Sequence, residues 1–377
     1  MDLGFSETQQ MLKNSTREFL ARECPHTLVR AMEEDERGYL PQLWQQIVDL
    51  GWTGLAFPEE YGGTGGSFLD LAVLLEEMGR ALVPGPFFST VALGGLTVLD
   101  AGNDAQKRDL LTRICQGQVF MTLALTEPSA TFQPWGIQTQ ARRDRGHYII
   151  NGTKLFVSDA HVSNVMVVAA RTSQSEDSTD GVTTFLVPTD SQGVRATPLR
   201  TLGSDKQCEV VFNNVRVPAS GVLGEVDRGW PIIEKALQRA TAARCAEMLG
   251  GAQAVLDMTV EYSKQRVQFG RPIGTFQAVQ HHCANMATEV ECCRYIVYQA
   301  AWRLAEGLPA ATEVSMAKAW ASGSYRRVCA LAHQSHGAIG FTREHNLQLY
   351  TRRARAQEVA FGGASFHREL VAQALGI

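Results

Sequence analysis

GHYIINGTKLFVS, residues 146–158, mixes tyrosine, isoleucine, valine and phenylalanine in the way that suits a pleated surface. The Asn151–Gly152 pair inside it is a strong hairpin signal, because both residues tolerate the positive φ of a two-residue turn. Runs of the same texture flank it: VFMTLALTEP (119–128), SNVMVVAARTS (163–173), GVTTFLVPTD (181–190) and CEVVFNNVRVP (208–218). Gly, Pro, Asn and Asp punctuate them. Together they predict a central antiparallel β domain, a sandwich or barrel, over residues 120–225. SQSEDSTD (173–180) reads as a polar exposed loop within it.

Working outward, both flanks read as helical. Over residues 1–119, Ser6 and Gln9 form a capping-box pattern that opens a first helix. LPQLWQQIVDLGW (40–52) puts Leu43, Trp44, Ile47, Val48 and Leu50 on roughly one helical face. PEEYGGTGGSF (58–68) has four glycines, but they fit neither a dinucleotide fingerprint nor a P-loop, and no strand precedes them. It reads as a turn before the apolar helix LDLAVLLEEMGRAL (69–82). Beyond the sheet, PIIEKALQRATAARCAEMLGGAQAVLDMTVEYSKQ (231–265) has no proline after Pro231 and predicts one long helix of a bundle. Gly250–Gly251 within it predicts a close helix crossing. Further helices are expected near 276–306, 310–335 and 342–356, and after Ser365. The fold class is therefore α+β and multidomain, with an N-terminal helical domain (1–119), the β domain (120–225) and a C-terminal four-helix bundle (226–377).

Composition narrows the function. At 377 residues the chain exceeds one ordinary core. A net charge of −4 and the lack of a basic block argue against nucleic acid and anionic membrane as partners. No apolar run is long enough for a spanning helix, and the first residues, with Asp2 and no apolar core, are not expected to be a secretion signal. The eight cysteines show no C-x-x-C pair and read as reduced core thiols of a cytoplasmic protein. Nine histidines without H-E-x-x-H spacing give no metal signature.

Four segments carry a resemblance. LALTEPSA (123–130), NGTKLFVSDA (151–160), SKQRVQFGRPIGTFQAVQH (263–281) and HQSHGAIGFTREHNLQLYTRRARAQ (333–357) come in the order and spacing of the acyl-CoA dehydrogenase family, which the chain resembles over essentially its full length. The resemblance implies an FAD enzyme of that fold that dehydrogenates an acyl-CoA thioester. It places Leu125, Thr126, Phe156, Ser158 and Gly363 at the chain's own flavin. It gives Arg266, Phe269, Gln277, Gln334, Gly337 and Ala338 to the flavin of a neighbouring subunit. The chemistry of these types agrees: Arg266 is a planar, permanently charged fork for phosphate oxygens, Phe269 offers a ring, and Gln277 a neutral donor. A tetramer is implied, and an electron-transferring flavoprotein as electron acceptor.

In that family a glutamate takes the α-proton while hydride leaves to the flavin, and the thioester oxygen is held by hydrogen bonds. Aligned back from the C-terminus, the glutamate's position falls on Phe361 in AFGG (360–363). Some members carry the base on the long helix instead, and that position is Ala240, followed by Thr241. A positioned base is worth about 10²–10⁴ in rate, so its loss matters. Glu358, three residues before Phe361, and Glu247, seven beyond Ala240, are the candidate substitutes. Phe132 falls at a family serine that donates to the pyrophosphate, and Phe156 at a family tryptophan. The chain's own flavin half-site is thus expected to be impaired while the half-site it lends is whole. That asymmetry is similar to the base-less subunit of heteromeric steroid-CoA dehydrogenases. Three alternatives stay open: a homomeric dehydrogenase with a relocated base, a flavin monooxygenase, and a flavin-free scaffold on the same fold. The small residues Ala240, Thr241, Ala242 and Ala243 suggest a roomy pocket for a bulky acyl group.

Overall fold

The computed structural model describes residues 4–377; Asp2 lies outside them. The N-terminal helices are α1 (Glu7–Glu23), α2 (His26–Glu34), α3 (Pro41–Asp49), α4 (Phe68–Ala81), α5 (Leu96–Ala101) and α6 (Asp104–Cys115), with a wide-turned helical segment at Phe88–Gly95 before α5. Ser6 caps α1 through the expected box with Gln9, and Ser67 caps α4 through a second box with Asp70. The glycine-rich 58–66 stretch is indeed the turn before α4.

The β domain holds β1 (Met121–Ala124), β2 (Gln140–Asp144), β3 (His147–Ser158), β4 (Val165–Arg171), β5 (Val182–Pro188), β6 (Val194–Leu199), β7 (Gln207–Pro218) and β8 (Val222–Leu223). They pair in the order β6-β7-β3-β2-β4-β5-β8, and β1 runs parallel beside β4. The sheet is otherwise antiparallel apart from one parallel bridge, Gln140 to Arg171. On β4, Met166, Val168 and Ala170 face the core inside the β domain, while Val167 and Ala169 face the large core shared with the helices. A strand buried on both faces reads as a continuous apolar run, as SNVMVVAARTS does.

Asn151–Gly152 is not a hairpin. Both lie inside the continuous strand β3, where the register against β7 shifts between Ile150 and Gly152. A Cβ on Gly152 would fall 2.4 Å from Thr139 Oγ1, so the glycine serves close approach at a bulge. The turn that does join β2 to β3 is Arg145–Gly146, at φ 42° and 84°, with Asp144 paired to His147. Those signs are the ones that favour a tight hairpin; an arginine in the first place hid the turn.

The C-terminal domain is helical: α7 (Trp230–Gln265), α8 (Gln277–Ala305), α9 (Ala311–His336), α10 (Leu347–Val359) and α11 (Ala364–Ala374). A short hairpin of β9 (Val267–Gln268) and β10 (Arg271–Pro272) separates α7 from α8. The glycine pair of α7 marks a close crossing. A Cβ on Gly250 would lie 1.7 Å from the Glu76 carbonyl oxygen of α4, and one on Gly251 would lie 2.3 Å from the Tyr325 hydroxyl of α9. Gly79 of α4 answers from the other side, 2.1 Å from the Glu247 carbonyl. Overpacking against backbone cannot relax by a rotamer change. Gly250→Ala is therefore expected to cost about 3 kcal/mol or more, read as a lowered midpoint in denaturant unfolding; an unchanged midpoint would contradict the crossing. Beside it, buried Glu76 binds Lys13 Nζ at 2.7 Å and Arg294 Nη1 at 2.6 Å and accepts from the Tyr298 hydroxyl, tying α1, α4 and α8 together.

Candidate functional site

A cavity of about 630 Å³ opens where all three domains meet, within the range of small-molecule sites. Its walls come from the loop after α4 (Val83 to Phe88), the segment after β1 (Thr126, Ala130, Phe132), the end of β3 (Phe156, Ser158, Asp159), residues 200–207, α7 (Arg244, Glu247) and the end of α10 through Phe361. Ten described residues other than glycine have positive φ, and five of them, Ala130, Phe156, Asp159, Ser204 and Phe361, line this cavity. Such conformations persist only where surroundings over-determine them, and they gather at functional sites.

Phe361 sits in the left-handed region at φ 57°. Its ring stacks on Phe88, centroids 6.0 Å apart. The Arg244 guanidinium lies 3.7 Å from the Phe88 centroid and 6.0 Å from that of Phe361. The loop around Phe361 is held from behind. Lys318 Nζ donates to the carbonyls of Gln357 and Glu358, 2.9 Å each. Burial pushes His367 down to about 4; its neutral ring bonds the Phe361 carbonyl through Nε2 at 3.0 Å. The N–H of Phe361 has no partner among the described residues.

The candidate substitute bases separate. Glu358 does not line the cavity; it faces Arg355 at 3.3 Å and Arg326 at 3.9 Å. Glu247 does line it, ion-paired to Arg244 and accepting from Gln357 Nε2 at 3.3 Å. A carboxyl that the sequence reading missed, Asp159, also lines it. Burial raises its pKa to about 6, against the opposing hydrogen bond of 2.6 Å from Ser89 Oγ. No local signal marks Asp159, since its place depends on the fold bringing β3 to the helix turn at Ser89. Ala240, Thr241, Ala242 and Ala243 are buried in the core and do not line the cavity, so they do not make it roomy. Arg244 and Glu247 line α7's share of the wall instead.

The residues expected at flavin fall into two separate groups. Leu125, Thr126, Phe156 and Ser158 surround a gap of about 40 Å³ that adjoins the cavity and is closed by Phe132, Phe361 and leucines. That is room for a water or two. Thr126, Phe156 and Ser158, with Phe132 and Phe361, also line the cavity of about 630 Å³, so the space open to a ring beside these residues is the cavity and not the gap. Gly363, partly buried, precedes α11. Arg266, Phe269, Gln277, Gln334, Gly337 and Ala338 are all exposed, and none lines the cavity or the gap. Phe269 is 92 % exposed at φ 53°, and Phe341 nearby in sequence to Gly337 is 71 % exposed. Gly337 ends α9 at φ 65°, ψ −145°, a conformation open to glycine almost alone. No group of side chains among the described residues could hold a metal ion, and none of their helices is long and apolar enough to cross a membrane.

Three family models match in succession: the acyl-CoA dehydrogenase N-terminal domain over residues 6–118, the middle domain over 122–215 and the C-terminal domain over 227–376. The chain belongs to the acyl-CoA dehydrogenase family. Among relatives of that family, a probable acyl-CoA dehydrogenase, YngJ, of Bacillus subtilis (strain 168) is 33% identical over all of both chains. The butyryl-CoA dehydrogenase structure from Megasphaera elsdenii matches with a TM-score of 0.93 at 30% identity, covering all of both chains. A chain of the ChsE4-ChsE5 complex from Mycobacterium tuberculosis matches with a TM-score of 0.91 at 29% identity, over 100% of this chain and 99% of that one. The acyl-CoA dehydrogenase family is FAD-dependent. Its fold, an N-terminal helical domain, a central β domain and a C-terminal helical domain, is the one described above.

Proposed function

We propose that this chain is the subunit of a heteromeric acyl-CoA dehydrogenase that lacks the catalytic carboxylate. It lends Arg266, Phe269, Gln277, Gln334, Gly337 and Ala338 to the FAD of a homologous partner chain that carries the base. The observation that carries this reading is Phe361: it stands in the cavity wall at the position aligned with the glutamate, on a loop braced by Lys318 and His367. The loop keeps a free N–H for a thioester carbonyl but offers no proton acceptor. Exposed Phe269 of the lent set, with exposed Ile339 and Phe341, which follow Ala338 closely in sequence, suits burial against another subunit. A tetramer and an electron-transferring flavoprotein as acceptor are the associations the family membership favours. The test is acyl-CoA oxidation by the chain purified alone and after co-assembly with a homologue bearing the glutamate, activity being expected only in the second.

Asp159 and Glu247 favour one second reading, a homomeric dehydrogenase with a relocated base. A carboxyl with a pKa of about 6 is in the range that suits a general base near neutral pH. Under it the isolated chain turns over, and Asp159→Asn or Glu247→Gln abolishes that turnover.

A further inference from the structure

The cavity's inner wall is charged where an acyl chain made only of hydrocarbon would need apolar surface. Arg244 and Glu247, 14 % and 13 % exposed at their side chains, are paired to each other and lie beside the stacked rings of Phe88 and Phe361. Gln357, itself buried, holds the same carboxylate oxygen of Glu247 that Arg244 Nη1 holds. Asp159 is anchored by one oxygen to Ser89. Besides the sealed Arg244 Nε and Gln357 Oε1, this leaves three atoms without a partner among the described residues: Glu247 Oε1, Asp159 Oδ1 and Arg244 Nη2. None of the three belongs to the sealed, unpartnered atoms of the interior, so each remains open, and all three residues line the cavity.

We propose that this end of the cavity selects a CoA thioester with a hydroxyl on its acyl group, the hydroxyl donating to Glu247 Oε1 or Asp159 Oδ1 and accepting from Arg244 Nη2. The choice follows from what each alternative leaves unmatched. A saturated hydrocarbon chain would cover charged atoms and give them nothing, which is the costly outcome for polar groups. A carboxylate meets the carboxylates of Glu247 and Asp159 beside the guanidiniums of Arg244 and Arg353, and has no proton to donate to either carboxylate. An ammonium has no lone pair for Arg244. A hydroxyl has one proton and two lone pairs, and satisfies both kinds of atom. Sites built to bond a hydroxyl reject the analogue lacking it strongly, because their own groups are then left unpaired. This inference rests on the reading that the cavity takes an acyl-CoA, which here is bound without being oxidised.

The experiment is calorimetric titration of the full chain with free CoA and with butyryl-, 3-hydroxybutyryl-, 4-hydroxybutyryl-, 4-aminobutyryl- and glutaryl-CoA. One of the two hydroxy esters should bind at least about tenfold more tightly than butyryl-CoA. Arg244→Leu with Glu247→Leu should collapse that margin to about twofold or less; where this double variant does not fold, the series on the unaltered chain decides. Butyryl-CoA binding as tightly as both hydroxy esters overturns the hydroxyl selection alone, and so does tightest binding of the amino or glutaryl ester. Binding of no ester more tightly than free CoA overturns the acyl-CoA reading of this cavity as well.

Discussion

Phe361→Glu, made alone, is expected to leave the isolated chain without useful acyl-CoA oxidation. The unaltered chain should turn over below about 10⁻² s⁻¹, which is the lower end of ordinary enzyme rates reduced by the loss of a positioned base. Restoring a carboxylate at position 361 supplies one of three things that must come together within hydrogen-bond reach. Phe132 and Phe156 still stand in the cavity wall, where the resemblance puts a serine and a tryptophan of the family. A new carboxylate would also meet Arg244, whose guanidinium is already 6.0 Å from the Phe361 ring centroid. That cation favours the ionised, weakly basic form. Adding Phe132→Ser and Phe156→Trp to Phe361→Glu should raise turnover by about 10² or more over the single variant. A rate of about 1 s⁻¹ or higher in the unaltered chain would remove the silent-subunit proposal and leave the family membership untouched.

Arg266→Ala should strip flavin from the assembled complex while the fold persists. Its side chain is exposed and makes no hydrogen bond or ion pair among the described residues, and its backbone N–H still bonds the Tyr262 carbonyl. The residue therefore contributes little to this chain's own stability. If it forks a partner's pyrophosphate, losing that charge-assisted contact weakens flavin binding by about 1.5–3 kcal/mol, roughly ten- to 150-fold. Arg266→Lys should recover only part, because an ammonium keeps the charge and loses the planar fork. Flavin content of the complex, read from its visible absorbance after gel filtration, checks both. Equal content in the Ala variant would show that Arg266 is an ordinary surface charge.

Most of the architecture was legible because its long helices declare themselves by period and caps. Ser6 with Gln9 and the uninterrupted run of α7 each have a local cause. Strands β2 and β6 were not legible: QARRD and VRATPL are mostly exposed or half-buried, so they lack the apolar signal of their neighbours. Asn151–Gly152 misled because a glycine required for close approach to Thr139 looks, in sequence, like a glycine required for a turn. The site divides the same way. That Phe361 falls where the family resemblance puts a carboxylate is a reading by register from the C-terminus, and it stays a proposal. That Arg244, Glu247 and Asp159 share one cavity wall could not be read from the sequence, because α7 and the end of β3 meet only through tertiary packing. Ala240, Thr241, Ala242 and Ala243 show the converse error: small residues on a helix face mark close packing as readily as an open pocket.

The most direct measurement is the ratio of FAD to protein chains, taken by absorbance and amino-acid analysis on the chain purified alone and on its complex with a base-bearing homologue. The account predicts a colourless chain alone, and one flavin for each pair of unlike chains in the complex, bleached when acyl-CoA is added. A yellow, homomeric chain that carries one FAD apiece and is bleached by an acyl-CoA would contradict it.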